Sequence, residues 1–311
     1  MNAEALRVTA FPGAPNLPIF AALERGLFEN HGVNLTLGLT TSSIAQATNI
    51  AAGEFDIALT AFDNVVAYST GQGAAGEGVE PDYVVIMGAT QLELSLVAEP
   101  SVQEHLDLRG KSIALDALET GFAFVLYEML DRAGIDRAEC EFVAVGATPQ
   151  RWSALQSGGH SATLTIEPFT SLATAEGYRV IDSSARLFDE YQGGVVAARR
   201  SALEQKSSVV GGFIAGYLDG LAWVLDPANR GEVTDLLVQH MDTGDRATGP
   251  AITSVLSPQS GLTPEARILP HGMRTVLDLR ARHGRGVVLD EVDSFCDLRL
   301  WTAAVESRKP S

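Results

Sequence analysis

The chain has 311 residues, of which 46% are hydrophobic, and a formal net charge of −17. This length is enough for two lobes or domains of roughly 100–200 residues with a large apolar core. The negative charge argues against a nucleic-acid or anionic-membrane partner, because phosphate contacts need a basic surface. No stretch reaches the ~18 uncharged apolar residues of a membrane span, so direct membrane insertion is not expected.

The first part of the chain alternates between predicted strands and predicted helices. Strands are expected at residues 6–11, 33–37 and 56–60, and helices at residues 19–28, 44–52 and 61–68. This alternation is typical of an α/β unit with a largely parallel sheet. Residues 71–76 spell G-x-G-x-x-G, but they follow a helix and precede none. We therefore interpret them as a surface loop and not as a dinucleotide site.

Hydroxyl side chains cluster before the predicted helix at residues 44–52, namely Thr41, Ser42 and Ser43. A hydroxyl there can cap the helix by accepting a hydrogen bond from a first-turn N–H group. The same N–H groups and the helix dipole can instead bind a carboxylate, sulfonate or phosphate. Both interpretations stay open at this point.

The rest of the chain passes from mixed α/β structure to helices. Strands are predicted at residues 83–88 and 92–98, as a pair around residues 89–91, and at 112–115, 140–145, 162–166, 178–181 and 193–198. Helices are predicted at residues 122–133, 150–156, 208–226, 230–241, 247–255, 264–283 with a break, and 294–305. Cys140 and Cys296 fit no metal spacing and no nucleophile motif, so we expect buried apolar cysteines. No metal site and no cofactor is predicted.

Four segments in a fixed order resemble one family. They are residues 21–28 followed by Gly32-Val33, residues 52–58, residues 107–114, and residues 150–158 leading to Ile166-Glu167-Pro168-Phe169. In this order they resemble the type 2 periplasmic solute-binding proteins, in the NMT1/THI5-like branch that binds sulfonates, nitrate-like anions and thiamine-pyrimidine precursors. The resemblance extends from about residue 7 to residue 226.

The resemblance implies an α/β fold of two Rossmann-like lobes joined by two crossing segments, with a helical C-terminal part. Lobe I would comprise residues 1–90 plus 194–311, and lobe II residues 91–193. Ligand would bind in the cleft, which closes by hinge motion. Mapped onto the loops that follow the strands, the implied contacts are Phe11, Asn16, Leu17, Thr41, Ser42, Ser43, Phe62, Asp63, Asn64, Gln91, Thr120, Gly121 and Glu167.

The chemistry of these side chains suits an organic anion. Asn16, Ser42, Ser43 and Thr120 can donate hydrogen bonds to it, and the aromatic residues Phe11 and Phe62 could flank an apolar or planar body.

Two carboxylates depart from the pattern of an anion site. Asp63 either caps its helix or receives an amine or heterocycle N–H of the ligand. Glu167 either pairs with an Arg or Lys or contacts the ligand. Together they indicate a ligand that is not purely anionic.

The expected function is that of a small-molecule solute-binding protein of ABC-importer type, with an organic anion or heteroaromatic compound in the interlobe cleft. The implied partners are a small organic solute and an importer membrane subunit. One alternative is a cytosolic enzyme on the same scaffold, similar to aromatic-acid decarboxylases or to thiamine-pyrimidine and menaquinone-pathway enzymes. Its candidate acid–base groups are Asp63 and Glu167, with His160 a distant third. Another is a cytosolic ligand sensor.

The predicted location depends on processing of the N-terminus. A secretory signal has a basic start followed by an apolar core. Residues 1–6 do not show this pattern. We expect a periplasmic or cell-surface protein if a signal was removed, and a cytoplasmic protein otherwise.

Overall fold

The computed structural model describes residues 3–285 and 291–308. Its strands are β1 (Glu4–Ala10), β2 (Val33–Leu39), β3 (Ile57–Ala61), β4 (Tyr83–Thr90), β5 (Ser95–Ala98), β6 (Ser112–Leu115), β7 (Glu141–Ala144), β8 (Ala162–Thr165), β9 (Arg179–Ser183) and β10 (Gly194–Arg199). Its α-helices are α1 (Leu17–Glu24), α2 (Leu27–Asn30), α3 (Ser43–Ala51), α4 (Phe62–Ser69), α5 (Gly121–Arg132), α6 (Thr148–Gln156), α7 (Phe169–Ala175), α8 (Ser184–Leu187), α9 (Arg200–Gln205), α10 (Ser207–Leu225), α11 (Arg230–Met241), α12 (Asp245–Val255), α13 (Pro270–His283) and α14 (Arg299–Glu306).

The strands form two five-stranded sheets. The first has the order β2-β1-β3-β10-β4 and the second the order β7-β6-β8-β5-β9. Strand β1 is parallel to β2 and β3, and β6 is parallel to β7 and β8. Strand β10 runs antiparallel to β3 and β4, and β5 runs antiparallel to β8 and β9. Both sheets are therefore mixed, and the predicted two-lobe α/β fold is confirmed.

The strands of the first sheet come from residues 4–90 and 194–199, and those of the second from residues 95–183. We call the first sheet with its helices lobe I and the second lobe II. The chain passes between the two sheets at residues 91–94 and again after β9. These two segments are the connections between the lobes.

Some predicted elements were wrong. The expected strand pair at residues 83–88 and 92–98 does not form, because β4 and β5 belong to different sheets. Two adjacent apolar runs look like a hairpin in sequence, and their pairing is decided by contacts far along the chain. The predicted helix at residues 19–28 is divided at Gly26, which adopts a φ of 65° that favours glycine. The predicted helix at 294–305 becomes a 3-10 turn, Val292–Phe295, followed by α14.

Helix α10 forms the centre of the lobe I core. It packs against α1, α2 and α14. At Gly220, an added Cβ would lie 2.2 Å from the backbone oxygen of Pro18, so glycine allows α10 to approach α1 closely. The helix is long and apolar enough to cross a membrane, with a mean hydropathy of 1.5, but 56% of that window is buried inside the protein. It therefore serves as a core helix of the fold.

Helix α13 connects the C-terminal part to both lobes. It packs against α4 of lobe I and against α5 of lobe II.

The two cysteines, Cys140 and Cys296, are free. Both are half-buried, whereas the sequence analysis expected them to be buried.

Candidate ligand-binding site

A cavity lies between the two lobes. Its empty space is about 760 Å³, counting the part that is open to solvent. Lobe I contributes the carboxyl ends of β1, β3 and β4, the beginning of β10, and residues of α3 and α4. Lobe II contributes residues that follow β6 and β8 and the first turns of α5 and α6. This is where open α/β sheets place their ligands, because the carboxyl ends of parallel strands meet at one edge.

Six of the residues predicted to contact a ligand lie together in the cavity wall. They are Phe11, Asn16, Ser43, Asn64, Thr120 and Gly121. Several polar groups among them already have partners within the protein. The Asn16 amide donates to the backbone oxygen of Phe11 at 2.7 Å, and the Asn64 amide donates to the Thr60 hydroxyl at 3.0 Å.

Thr41 and Ser42 lie beside the cavity without lining it. The Ser42 hydroxyl accepts a hydrogen bond from the backbone N–H of Ala45 at 3.0 Å, so Ser42 caps α3. The backbone oxygen of Thr41 accepts from the N–H of Ala147 in lobe II at 2.9 Å. Of the two interpretations of the hydroxyl cluster, capping applies to Ser42, whereas Ser43 is the residue that faces the cavity.

Three more predicted contacts lie outside the cavity wall. Leu17 and Phe62 are fully buried in the apolar cores, where Phe62 packs edge-to-face with Phe295. Gln91, on the first connection between the lobes, donates from its amide to the backbone oxygen of Pro258 at 3.1 Å.

The two predicted carboxylates also lie outside the cavity wall. Asp63 is buried in an ion pair with Arg280, at 2.6 Å. The carboxylate of Glu167 accepts from the backbone N–H of Ser171 at 3.2 Å and forms no ion pair within the described part of the chain. Burial raises the pKa of Glu167 to about 7, although hydrogen bonds from Ser171 act in the opposite direction. Asp63 does not cap α4, whose N-cap is Ala61, and its carboxylate is instead paired with Arg280.

The two lobes are hydrogen-bonded to each other next to the cavity. The N–H of Ser43 donates to the Asp116 carboxylate at 3.1 Å, and the N–H of Ala147 donates to the backbone oxygen of Thr41. The N–H of Ala14 donates to the backbone oxygen of Glu167 at 2.8 Å. A ligand in the cavity would therefore lie between lobes that are already in contact.

Asp116 and Arg151 are charged residues of the cavity wall that the sequence analysis missed. Asp116 directly follows β6. Its position at the carboxyl end of a parallel strand is therefore a sequence signal that could have identified it. Arg151 lies in the first turn of α6 and has the sequence pattern of an exposed helical residue. Yet it is only 2% exposed. Thr60, Thr90, Phe122 and Thr148 complete the polar and aromatic positions that were not predicted.

Arg151 is held by oxygen atoms of lobe II. Its Nη1 donates to the backbone oxygen of Gly146 at 2.6 Å. Its Nε and Nη2 donate to the backbone oxygen of Leu164, and Nη2 also donates to the Thr148 hydroxyl. Burial lowers the pKa of Arg151 to about 10, and the charge of Asp116 acts in the opposite direction. Arg151 therefore stays positively charged at neutral pH and places that charge in the cavity wall.

The two mixed sheets, their connections and the interlobe cavity define the two-lobe fold of the type 2 periplasmic binding proteins. The model of the NMT1-like family matches residues 1–238. The chain belongs to this family, and the resemblance inferred from the four segments is confirmed.

Solved structures with the same fold have low sequence identity to this chain. The periplasmic nitrate-binding protein NrtA from Synechocystis PCC 6803 is 11% identical, with a TM-score of 0.81 over 99% of this chain and 89% of its own. The ligand-binding component of an ABC-type import system from Staphylococcus aureus is 13% identical, with a TM-score of 0.79 over 97% and 99%. The alkanesulfonate-binding protein SsuA from Xanthomonas axonopodis pv. citri is 14% identical, with a TM-score of 0.75 over 96% and 99%. A search of curated proteins gave no match.

Proposed function

We propose that this protein binds a small organic solute in the interlobe cavity and delivers it to the membrane subunit of an ABC importer. The bound solute is an organic anion or a heteroaromatic compound. The structures with a similar fold include the ligand-binding component of an ABC-type import system, a periplasmic nitrate-binding protein and an alkanesulfonate-binding protein. The same role would place this chain in the periplasm or at the cell surface.

The observation that carries the proposal is a cavity whose wall is built by both lobes, which are hydrogen-bonded to each other next to it. A site between two lobes suits reversible capture of a whole small molecule, because closure of the lobes buries most of the ligand surface. The lobes are linked by two short connections, so opening can occur by rotation about them. The cavity wall combines aromatic residues such as Phe11 and Phe122 with polar groups.

The binding function can be tested with the purified protein and a library of small carboxylates, sulfonates and pyrimidines. A ligand that binds the native state raises its stability by about 3 kcal/mol at a concentration of about 100 Kd, so hits will raise the Tm. Calorimetric titration should then give one site per chain. Small-angle scattering should show a smaller radius of gyration in the ligand-bound state.

Incubation of each hit with the protein, followed by mass spectrometry, distinguishes a carrier from a catalyst. Recovery of unchanged ligand supports delivery, whereas conversion to a product would contradict it and favour an enzyme on this scaffold. A library without any hit would argue against the binding function.

A further inference from the structure

Two side chains of opposite charge line the same cavity. Arg151 belongs to α6 and Asp116 follows β6, so both are carried by lobe II. In the part of the chain that the structure describes, no ion pair joins them. Each therefore has capacity to bind a further group.

Arg151 can act as the anion-binding group of the cavity. A guanidinium group has five N–H donors. Four of the five are used by Gly146, Leu164 and Thr148, all as neutral oxygen acceptors, and one N–H of Nη1 remains without an acceptor among the described residues. The charge of Asp116 acts on Arg151 from a distance, but no anion is hydrogen-bonded to this buried cation within the described residues. An anionic group of a ligand at Nη1 would supply a directly hydrogen-bonded counter-charge.

Asp116 and Ser43 form an acceptor group in the same wall. The carboxylate of Asp116 accepts from the N–H of Ser43, at 3.3 Å to Oδ1 and 3.1 Å to Oδ2. A carboxylate has about four acceptor positions, so this one N–H leaves capacity for a ligand donor. The Ser43 hydroxyl is buried and has no hydrogen-bond partner among the described residues. This hydroxyl can accept from the same ligand donor.

We propose that the ligand is amphoteric: its anionic group binds Arg151, and a protonated amine binds Asp116 and the Ser43 hydroxyl. This inference rests on the proposed binding function and specifies the ligand class. A simple anion would bring its charge near Asp116, and a simple cation would bring its charge near Arg151. Inside a cavity either arrangement is opposed by repulsion, because charges interact more strongly there than in water. A ligand with both charges satisfies both side chains.

The ligand class can be tested on the unmodified protein with three matched sets of compounds. Each set has an amino acid or amino sulfonate, the anion without its amine, and the amine without its anionic group. The sets are phenylalanine, 3-phenylpropanoate and phenethylamine; 4-aminobutanoate, butanoate and butylamine; and taurine, ethanesulfonate and ethylamine. In at least one set the amphoteric compound should bind at least about tenfold more tightly than both others. Equal or tighter binding of the anion, or binding of none of the nine, would overturn the proposal.

Substitution of each charge gives an independent test. Asp116→Asn retains an oxygen that can accept from the Ser43 N–H while removing the negative charge. We expect the amphoteric compound to lose about tenfold or more in affinity, and the matched anion to gain affinity. Arg151→Lys should weaken both by a smaller factor than Arg151→Met. Asp182→Asn is the matched control, because Asp182 belongs to the same lobe but pairs with His105 away from the cavity. Equal effects of Asp116→Asn on both compounds would contradict the proposed role.

Failure of this inference is distinguishable from failure of the binding function. A neutral pyrimidine or a simple carboxylate that raises the Tm and binds with one site per chain would leave the binding function in place while overturning the amphoteric ligand.

Discussion

Arg280 forms a two-point ion pair with Asp63, in which Nε donates to Oδ1 and Nη2 donates to Oδ2, each at 2.6 Å. The two residues are 217 positions apart and both are buried. The same guanidinium also donates to the side chain of Gln72 and to the backbone oxygen of Glu119 in lobe II. This arrangement fixes α13 against α4 and brings the C-terminal part next to the boundary between the lobes.

Replacement of Asp63 by asparagine should strongly destabilise the protein. Arg280 would remain buried without its carboxylate partner, and the loss of one member of a buried pair costs about 3–5 kcal/mol. Urea unfolding measures this change in the free energy of unfolding. Glu232→Gln is the matched control, because its pair with Arg25 is exposed and should contribute less than about 1 kcal/mol. Similar small losses in both variants would show that the buried pair is not a major source of stability.

Gly121 determines how closely α5 can approach α4. A Cβ at this position would lie 2.5 Å from the Cβ of Asp63, which is too close for two carbon atoms. We expect Gly121→Ala to prevent full closure and to weaken ligand binding by about tenfold or more.

Calorimetric titration and small-angle scattering measure both effects of this substitution. Gly231→Ala, in an open position on α11, should change neither the affinity nor the radius of gyration of the ligand-bound protein. Unchanged affinity in Gly121→Ala would mean that the lobes can close without this contact.

The ionised carboxylate of Glu128 should stabilise the folded protein, and this contribution should be lost in acid. Burial opposes its ionisation, but hydrogen bonds from His283, Arg132 and Arg282 prevail and hold the pKa at about 2, below the usual 4.5. Because the folded state lowers this pKa, the stabilisation is present above pH 4.5 and is lost as the pH falls toward 2. Its size is about 2 kcal/mol, allowing for screening at the exposed Arg282.

The free energy of unfolding measured by urea at several acidic pH values checks this expectation. In Glu128→Gln the decline between pH 4.5 and pH 2 should be smaller than in the unmodified protein. Parallel pH profiles of the two proteins would contradict the assignment.

The contribution of Glu167 to the free energy of unfolding should have the opposite pH dependence. Its pKa is raised from 4.5 to about 7 by burial, so the folded state favours the protonated carboxyl group. The associated stability is fully present below pH 4.5 and is lost as the pH rises through about 7. Glu167→Gln should therefore be more stable than the unmodified protein by about 2 kcal/mol at pH ~8, and similar to it at pH ~4. Thermal unfolding at the two pH values distinguishes this from a gain that is independent of pH.

Ser42 and Ser43 should respond differently to replacement by alanine. Ser42→Ala removes the cap of α3 and should lower the free energy of unfolding by about 1 kcal/mol without changing ligand affinity. Ser43→Ala removes a buried hydroxyl without a partner among the described residues, so its effect should be on ligand binding rather than on stability. Loss of affinity in Ser42→Ala alone would reverse the two assignments.

The sequence by itself determined most of the local structure and part of the cavity wall. Apolar periodicity and glycine positions predicted elements such as α3, α11 and β6 within one or two residues, because the signals lie within a few residues of each element. The resemblance to the solute-binding family implied Phe11, Ser43 and Thr120 as ligand contacts, and all three lie in the cavity wall. Such positions come together because the carboxyl ends of parallel strands meet at one edge of a sheet.

Only the tertiary structure decided which of the polar residues face the cavity. Asp63 is used by Arg280 from a distant helix, whereas Arg151 turns inward from a helix that looks exposed in sequence. The separation of β4 and β5 into different sheets was likewise fixed by distant strand partners. Local sequence cannot specify such pairs, because their energies depend on which residues the folded chain brings together.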